Sequence, residues 1–528
     1  MTDEQPNHDW KPAFNPWLIA VVVALAAFME VLDTSIANVA LPHIAGDLGS
    51  SRDESTWVLT TYLVANAVVL PITGWLSSLL GRKRFFMICI ALFTLASLFC
   101  GAAPTLPVLL ASLALQGAGG GGLQPMAQSI MADSFPPKMR GAAFALFGMT
   151  VVVAPAMGPI LGGWITDNYT WRWIYFINLP LGLMVLGLVY KFVDDPPFLR
   201  RFKPGEMHFD TVGFALLALG VVALQVLLDK GQEDDWLASH FICSLVIIAV
   251  VCLSAMAVWE WRQKQPIVDV RLFKIFNFSG SCVMMFLAGV VMFSSMILMP
   301  EFLQMLMGYT AEDAGVIVSI GAAVVIVTMP LVGLLTSKVP AKYMIALGWL
   351  LSAGGMYLST KFLSLEISFR GAAVIMLLQF VPMAFIFIPT MTASFVGVPQ
   401  DKNDSVSGLT NFMRNIGMSF GTAIVQTVLA RRQQFHLARL ADHLSLGDPG
   451  IVFNSQAMML HARGAGLGPF ETQAAVIAQV YRAFMMQAAA MSFIDAYVIL
   501  GVGSAVMFFL SFLLKSNDPR HTEPPAGD

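Results

Sequence analysis

A chain of 528 residues, 57% hydrophobic and 12% charged with a mean hydropathy of +0.72, carries more apolar surface than one water-soluble core can bury. It needs lipid as its solvent, and an all-α membrane protein is the fold class that follows. A net charge of -3 argues against a nucleic-acid partner, and five cysteines without CxxC spacing give neither a disulfide framework nor a metal site.

Along the chain, residues 1–16 are polar and of mixed charge and are read as a cytoplasmic tail; the first apolar run lacks a small-residue cleavage site and is expected to be retained. Crossing a hydrocarbon core of about 30 Å takes about 20 mostly apolar residues. Fourteen runs meet that need: 17–41, 56–80, 84–103, 106–133, 142–166 and 171–193, then 211–229 and 241–261, then 277–300, 313–337, 341–360, 371–398, 405–430 and 494–515. The connectors 194–210 and 263–276 are cytoplasmic; the second alternates apolar and basic residues, which suits either a segment lying in the membrane interface or a plain linker. Residues 431–493 form the one sizeable soluble piece, periplasmic, with helical patterns near 431–444 and 470–491 around a Gly/Pro-marked middle, and 517–528 form a cytoplasmic tail. Basic residues gather where an even number of spans places the cytoplasm, among them Arg82, Lys83, Arg84, Lys138, Arg140, Arg200, Arg201, Arg271 and Lys274. Both termini are therefore expected on that side.

An internal repeat divides the chain. PITGWLSSLLGRKR from Pro71 and PLVGLLTSKVPAKY from Pro330 match at Pro71/Pro330, Gly74/Gly333, Leu76/Leu335 and Ser78/Ser337, always 259 residues apart. Leu41-Pro42 and Met299-Pro300 echo each other at an offset of 258. This pairs a six-helix bundle at 17–193 with a second at 277–516, leaving 211–262 as an inserted helix pair.

Ionisable groups inside the runs are few. Glu30 and Asp33 lie roughly 20 and 24 Å into the first helix and, three positions apart, share a face. A charged carboxylate at a helix centre costs about 2.5 to 3.5 kcal/mol on insertion scales, so each needs a wet cavity or a partner. Two roles are open to them: alternately holding protons and a cationic or polar substrate group, or bonding a neighbouring helix. Arg414, about 14 Å into the thirteenth run, suits a latch between halves or a coupling role. Asn38, Gln116 and Gln124 either line a cavity or bridge helices. Gly117 and Gly119 to Gly122 strip side chains from one helix face, and Pro155, Gly158, Pro159, Gly162 and Gly163 combine a weakened backbone with close helix approach. The spans contain no HExxH or phosphate-loop pattern and no clustered His/Asp site, so neither an enzyme nor a nucleotide-driven pump is expected.

LDTSIANVALP from Leu32, GWLSSLLGRKR from Gly74, LQGAGGGG from Leu115, APAMGPILGG from Ala154, WRWIYFINLPLG from Trp171 and SGLTNFMRNIG from Ser407 together resemble the major facilitator superfamily. Within it they are most similar to the fourteen-span drug:proton antiporters of the EmrB/QacA type. The resemblance implies a multi-pass bacterial inner-membrane exporter of amphipathic small molecules, working by alternating access on the proton gradient with no cofactor. A proton-coupled importer, or a narrow exporter of a fatty acid or polyamine, is the alternative. It also implies that Gly74, Gly81, Arg82 and Lys83 help hold one conformational state, and that 431–493 works with a periplasmic adaptor and an outer-membrane channel. Three positions depart from the family pattern: Ser78 replaces an Asp of the basic loop, Leu113 replaces an Arg of the fourth span, and no acid matches Asp33 near Val291 in the second half. The coupling machinery is thereby narrowed to the first helix, with Arg414 as its partner.

Overall fold

Helix α1, Pro16–Leu48, begins where Asn15 accepts a hydrogen bond from the Trp17 backbone at 2.9 Å and ends at Gly49, whose φ of 63° only glycine adopts cheaply. Its 33 residues span about 50 Å, more than the hydrocarbon core requires. The computed structural model describes residues 12–197, 209–442, 459 and 468–514, and these form helices without a strand. After α1 come α2 (Glu54–Leu80), α3 (Arg82–Ala102), α4 (Leu106–Ser134), α5 (Pro137–Asn168), α6 (Trp173–Phe192), α7 (Thr211–Lys230) and α8 (His240–Arg262). The remainder are α9 (Phe276–Leu306), α10 (Glu312–Leu335), α11 (Ala341–Phe362), α12 (Phe369–Ser394), α13 (Asn403–Asp442) and α14 (Pro469–Ser511). Every predicted run falls on one of these helices.

Twelve of them are long and apolar enough to cross a membrane; α11 and α13 are not. The reason is composition: α11 mixes Gly, Ser and Thr among its apolar residues, and α13 carries Asp404, Asn411, Arg414 and Asn415. The helical patterns near 431–444 and 470–491 fall on α13 and α14. Helix α13 is one continuous run of 40 residues and α14 one of 43, each about 60 Å long, so most of the expected soluble piece prolongs these two helices. They are tied together where Arg432 and His436 both reach the Asp495 carboxylate at 2.6 Å. The Gly/Pro-marked middle of that piece, most of the 194–210 loop with Arg200 and Arg201, and most of both tails lie outside the described residues.

The 263–276 connector carries one short helical turn, Val270–Lys274. It folds back under α8, with Ile267, Val268 and Leu272 buried and the Ile267 amide donating to Glu260 at 2.9 Å. Arg271 donates to the carbonyls of Trp261 and Gln263, at 3.0 and 2.5 Å.

Two seams join the first six helices to the last six. Along one, α2 meets α13; a Cβ at Gly74 would come within 2.8 Å of the Ser405 backbone, and one at Gly408 within 2.6 Å of the Leu70 carbonyl. Along the other, α5 meets α10, where a Cβ at Gly333 would lie 2.8 Å from the Gly141 carbonyl. Gly74 and Gly333, equivalent in the sequence repeat, thus each mark a crossing with the opposite set of helices. Helix α7 packs on α2 and α13, and α8 packs on α7.

Candidate functional site

Glu30 and Asp33 are both buried, at 4% exposure each, and both face inward from α1. Glu30 accepts hydrogen bonds from Tyr62 at 3.3 Å and Asn66 at 3.1 Å on α2, and from Gln124 at 2.5 Å on α4. Asp33 accepts from Gln116 at 2.9 Å on α4 and from Asn178 at the start of α6, and both donors also reach Ser97 of α3 at 2.9 Å. The run of glycines explains how α2 and α4 come this close: a Cβ at Gly121 would sit 2.7 Å from the Asn66 carbonyl, and one at Gly119 2.7 Å from the Phe93 amide on α3. Without side chains there, Tyr62 and Asn66 can approach Glu30.

Gln124 uses both ends of its amide. Its nitrogen donates to Glu30 while its oxygen accepts from Arg414 Nη2 of α13 at 2.5 Å, so one side chain joins a first-half carboxylate to a second-half guanidinium. Arg414 is buried at 4% exposure, contacts Asn415 Oδ1 at 3.5 Å, and leaves its Nε without a hydrogen-bond partner. Below it, Asn411 and Gln128 exchange amide hydrogen bonds at 2.8 and 3.2 Å across the same seam.

At the end of the bundle marked by Gly81, whose φ is 85°, Arg82 is 1% exposed. It pairs with Asp133 of α4 and, at 2.8 Å, with Asp404 in the first turn of α13. Ser77 donates to Asp404 at 2.6 Å, Ser129 donates to the same carboxylate, and Asn403 donates to Asp133 at 2.6 Å. A carboxylate in the first turn of a helix is favoured by the helix dipole; the two acids offset the buried charge of Arg82, whose Nε has no hydrogen-bond partner, and the three donors satisfy the acids in turn. This end is closed.

A family model described as Major Facilitator Superfamily matches residues 23–422. The chain belongs to the major facilitator superfamily. Among curated relatives, the Multidrug export protein EmrB of Haemophilus influenzae is 36% identical over 492 residues, covering 93% of this chain and 95% of its own. The Fatty acid resistance protein FarB of Neisseria gonorrhoeae is 38% identical, covering 81% and 83%. The solved structure of the proton:xylose symporter XylE matches at a TM-score of 0.60 and 13% identity, over 96% of this chain and 97% of that one, which shows a shared fold. The chain is therefore a multi-pass membrane protein of a transporter superfamily.

Against the superfamily pattern, the missing acid at Ser78 is made good elsewhere. Ser78 only bonds the Gly74 carbonyl of its own helix at 2.8 Å, while Asp133 and Asp404 supply the charges for Arg82. The Arg82 cluster thus joins α3 to α4 and α13. Leu113, in place of the usual Arg, is buried among apolar side chains, and Val291 lies in a π-helical turn, Gly289–Phe293. Of the two roles open to them, Gln116 and Gln124 bridge helices; Asn38 does not join them and is exposed. Lys83 stays within the first half, its amide donating to Asp195 at 2.7 Å. On α5, Pro159 lacks the N–H that would bond the Pro155 carbonyl, and Ser35 of α1 donates to that carbonyl instead at 2.9 Å. Gly158 and Gly162 pack on Ser35 and Ile36, but Gly163 faces open space and makes no close approach. Tyr62, Asn66, Ser97, Asn178, Asp133 and Asp404 are additions that the sequence reading missed. Asn178 stands inside WRWIYFINLPLG, and Asp404, Asn411 and Asn415 recur at helical spacing, a signal that a stripe count along α13 would have found.

Proposed function

We propose that this protein exports amphipathic small molecules across a bacterial inner membrane by alternating access, driven by protons, with all fourteen helices crossing and both termini cytoplasmic. The observation that carries this reading is the Glu30–Gln124–Arg414 bridge, which ties a buried carboxylate to the opposite half. While Glu30 is ionised it holds Gln124 and, through it, Arg414, and the halves stay together at the Arg82 end. A proton arriving from outside removes that charge, loosens the bridge and lets the cytoplasmic end part; substrate binding there is tied to the proton's release inward. The driving force is adequate, because one charge moved through 100 mV is worth about 2.3 kcal/mol. The names of the relatives, a multidrug export protein and a fatty acid resistance protein, point the same way. No cofactor has a part in this scheme, and no enzymatic step is needed. Cells with and without the protein should be compared for exclusion of a drug, fatty-acid and polyamine panel, with an uncoupler as control. Exclusion that the uncoupler abolishes is expected; net accumulation, or exclusion indifferent to the uncoupler, would count against the reading.

A narrower reading, export of a fatty acid, is favoured by one observation: the buried Arg414 Nε lacks a partner and offers a carboxylate a charge-assisted hydrogen bond. The panel decides between the two. We also infer that the prolonged α13 and α14 stand in the periplasm and meet an adaptor that leads to an outer-membrane channel; their lengths support it. Shortening both helices beyond the membrane should abolish co-purification of such an adaptor, and unchanged capture would remove the inference.

A further inference from the structure

The two inserted helices differ in what they face. Helix α8 turns Phe241, Ile247, Val250 and Val251 outward. Helix α7 is instead hydrogen-bonded to both halves through its far end. On the α2 side, Thr60 donates to Asp229 and Lys230 Nζ donates to Thr56 at 2.5 Å. On the α13 side, the Gln225 amide donates to Ser419 Oγ at 2.8 Å, and Trp236, just beyond α7, donates to Thr427 at 3.1 Å. Gln225 is buried, at 4% exposure. From it a file of contacts leads by way of α13 to the central carboxylate. The Ser419 hydroxyl reaches Gln225 Oε1 at 3.1 Å and, one turn back on its own helix, the backbone carbonyl of Asn415 at 3.3 Å, so Gln225 holds the turn that carries the Asn415 side chain. Asn415 Nδ2 then donates to Asn66 Oδ1 at 3.3 Å, and Asn66 Nδ2 donates to Glu30 at 3.1 Å.

We propose that α7 is part of the coupling machinery, with Gln225 a positioning residue that acts on Glu30 through Ser419, Asn415 and Asn66. The proposal rests on the proton-coupled export reading above and gives the inserted pair a role in it. When the far ends of α2 and α13 separate, α7 cannot keep its bonds to both, and the bond that breaks alters how Asn66 holds Glu30. The charged and titratable groups around this file are Asp33 on α1 and Tyr62 on α2 beside Glu30, Asp229 and Lys230 on α7, Glu233 just after it, Glu54 at the start of α2, and Arg414 on α13.

The full chain in proteoliposomes, with ethidium and oleate as probes, tests this as the pH dependence of gradient-driven transport for wild type, Gln225→Ala, Asn66→Ala and the double variant. Each single change should move the pH midpoint by on the order of half a unit in the same direction, and the double should move it no further, because both act through one file. Ser419→Ala, which removes only a hydroxyl, should reproduce the Gln225→Ala shift and serves where that variant folds poorly. Unmoved midpoints in Gln225→Ala and Ser419→Ala, or additive shifts in the double, would overturn the role of α7. Wild type that moves neither probe would instead sink the export reading, and the role of α7 with it.

Discussion

Glu30 and Asp33 stand one helical turn apart, yet the hydrogen-bond partners found for them do not overlap. Those of Asp33 all belong to the first half, whereas those of Glu30 lead through Gln124 to the second. The sequence favours Asp33, which lies within LDTSIANVALP; the structure makes Glu30 the residue that reports to both halves. Asp33→Asn replaces an acceptor of two hydrogen bonds with an amide that must turn a donor toward Gln116 or Asn178, a loss of about 1 to 3 kcal/mol. A lower melting temperature and slower transport with an unchanged proton-to-substrate ratio are the expected result; a lost ratio would assign the coupling to Asp33. At Arg414, lysine keeps the charge but not the planar guanidinium whose Nη2 reaches Gln124 and Asn415 together. Arg414→Lys should therefore retain substrate binding, measured by fluorescence titration, and lose most of the gradient-driven rate.

At the scale of elements, what was legible is what composition and period express. Helix positions follow from runs of apolar residues, and the equivalence of Gly74 and Gly333 follows from the repeat, while their crossings with the opposite half emerge only from packing. The site was half legible: a buried acid is conspicuous in an apolar run, but its partners Tyr62, Asn66 and Asn178 are neutral and lie on other helices, and only packing brings them together. The same holds for Asp133 and Asp404, which look like ordinary helix-end residues until Arg82 is found between them. The glycines of α4 carry a direct test. Gly121→Val would push α2 off α4 at the level of Asn66 and leave Glu30 short of donors, so transport should fall by at least tenfold while the protein still inserts, read as activity per membrane-embedded molecule. Gly163→Val, on the open face of α5, should leave activity near wild type.

For the molecule as a whole, Arg82, Asp133 and Asp404 hold one end shut, and the central bridge sits between that end and the contacts of α7. Removing one partner of a buried ion pair costs about 3 to 5 kcal/mol, here charged to the closed form alone because the halves separate in the other. Asp404→Asn should shift the distance distribution between spin labels on α2 and α13 toward separation at the Arg82 end, and a distribution unchanged from wild type would contradict the latch. The central claim is that Glu30 exchanges protons in step with movement of the two halves. It is tested most directly by proton release on substrate addition to purified protein in weakly buffered detergent, wild type against Glu30→Gln. Wild type should release protons when ethidium or oleate is added, and Glu30→Gln should bind the same probe and release none; release undiminished in Glu30→Gln would contradict the account.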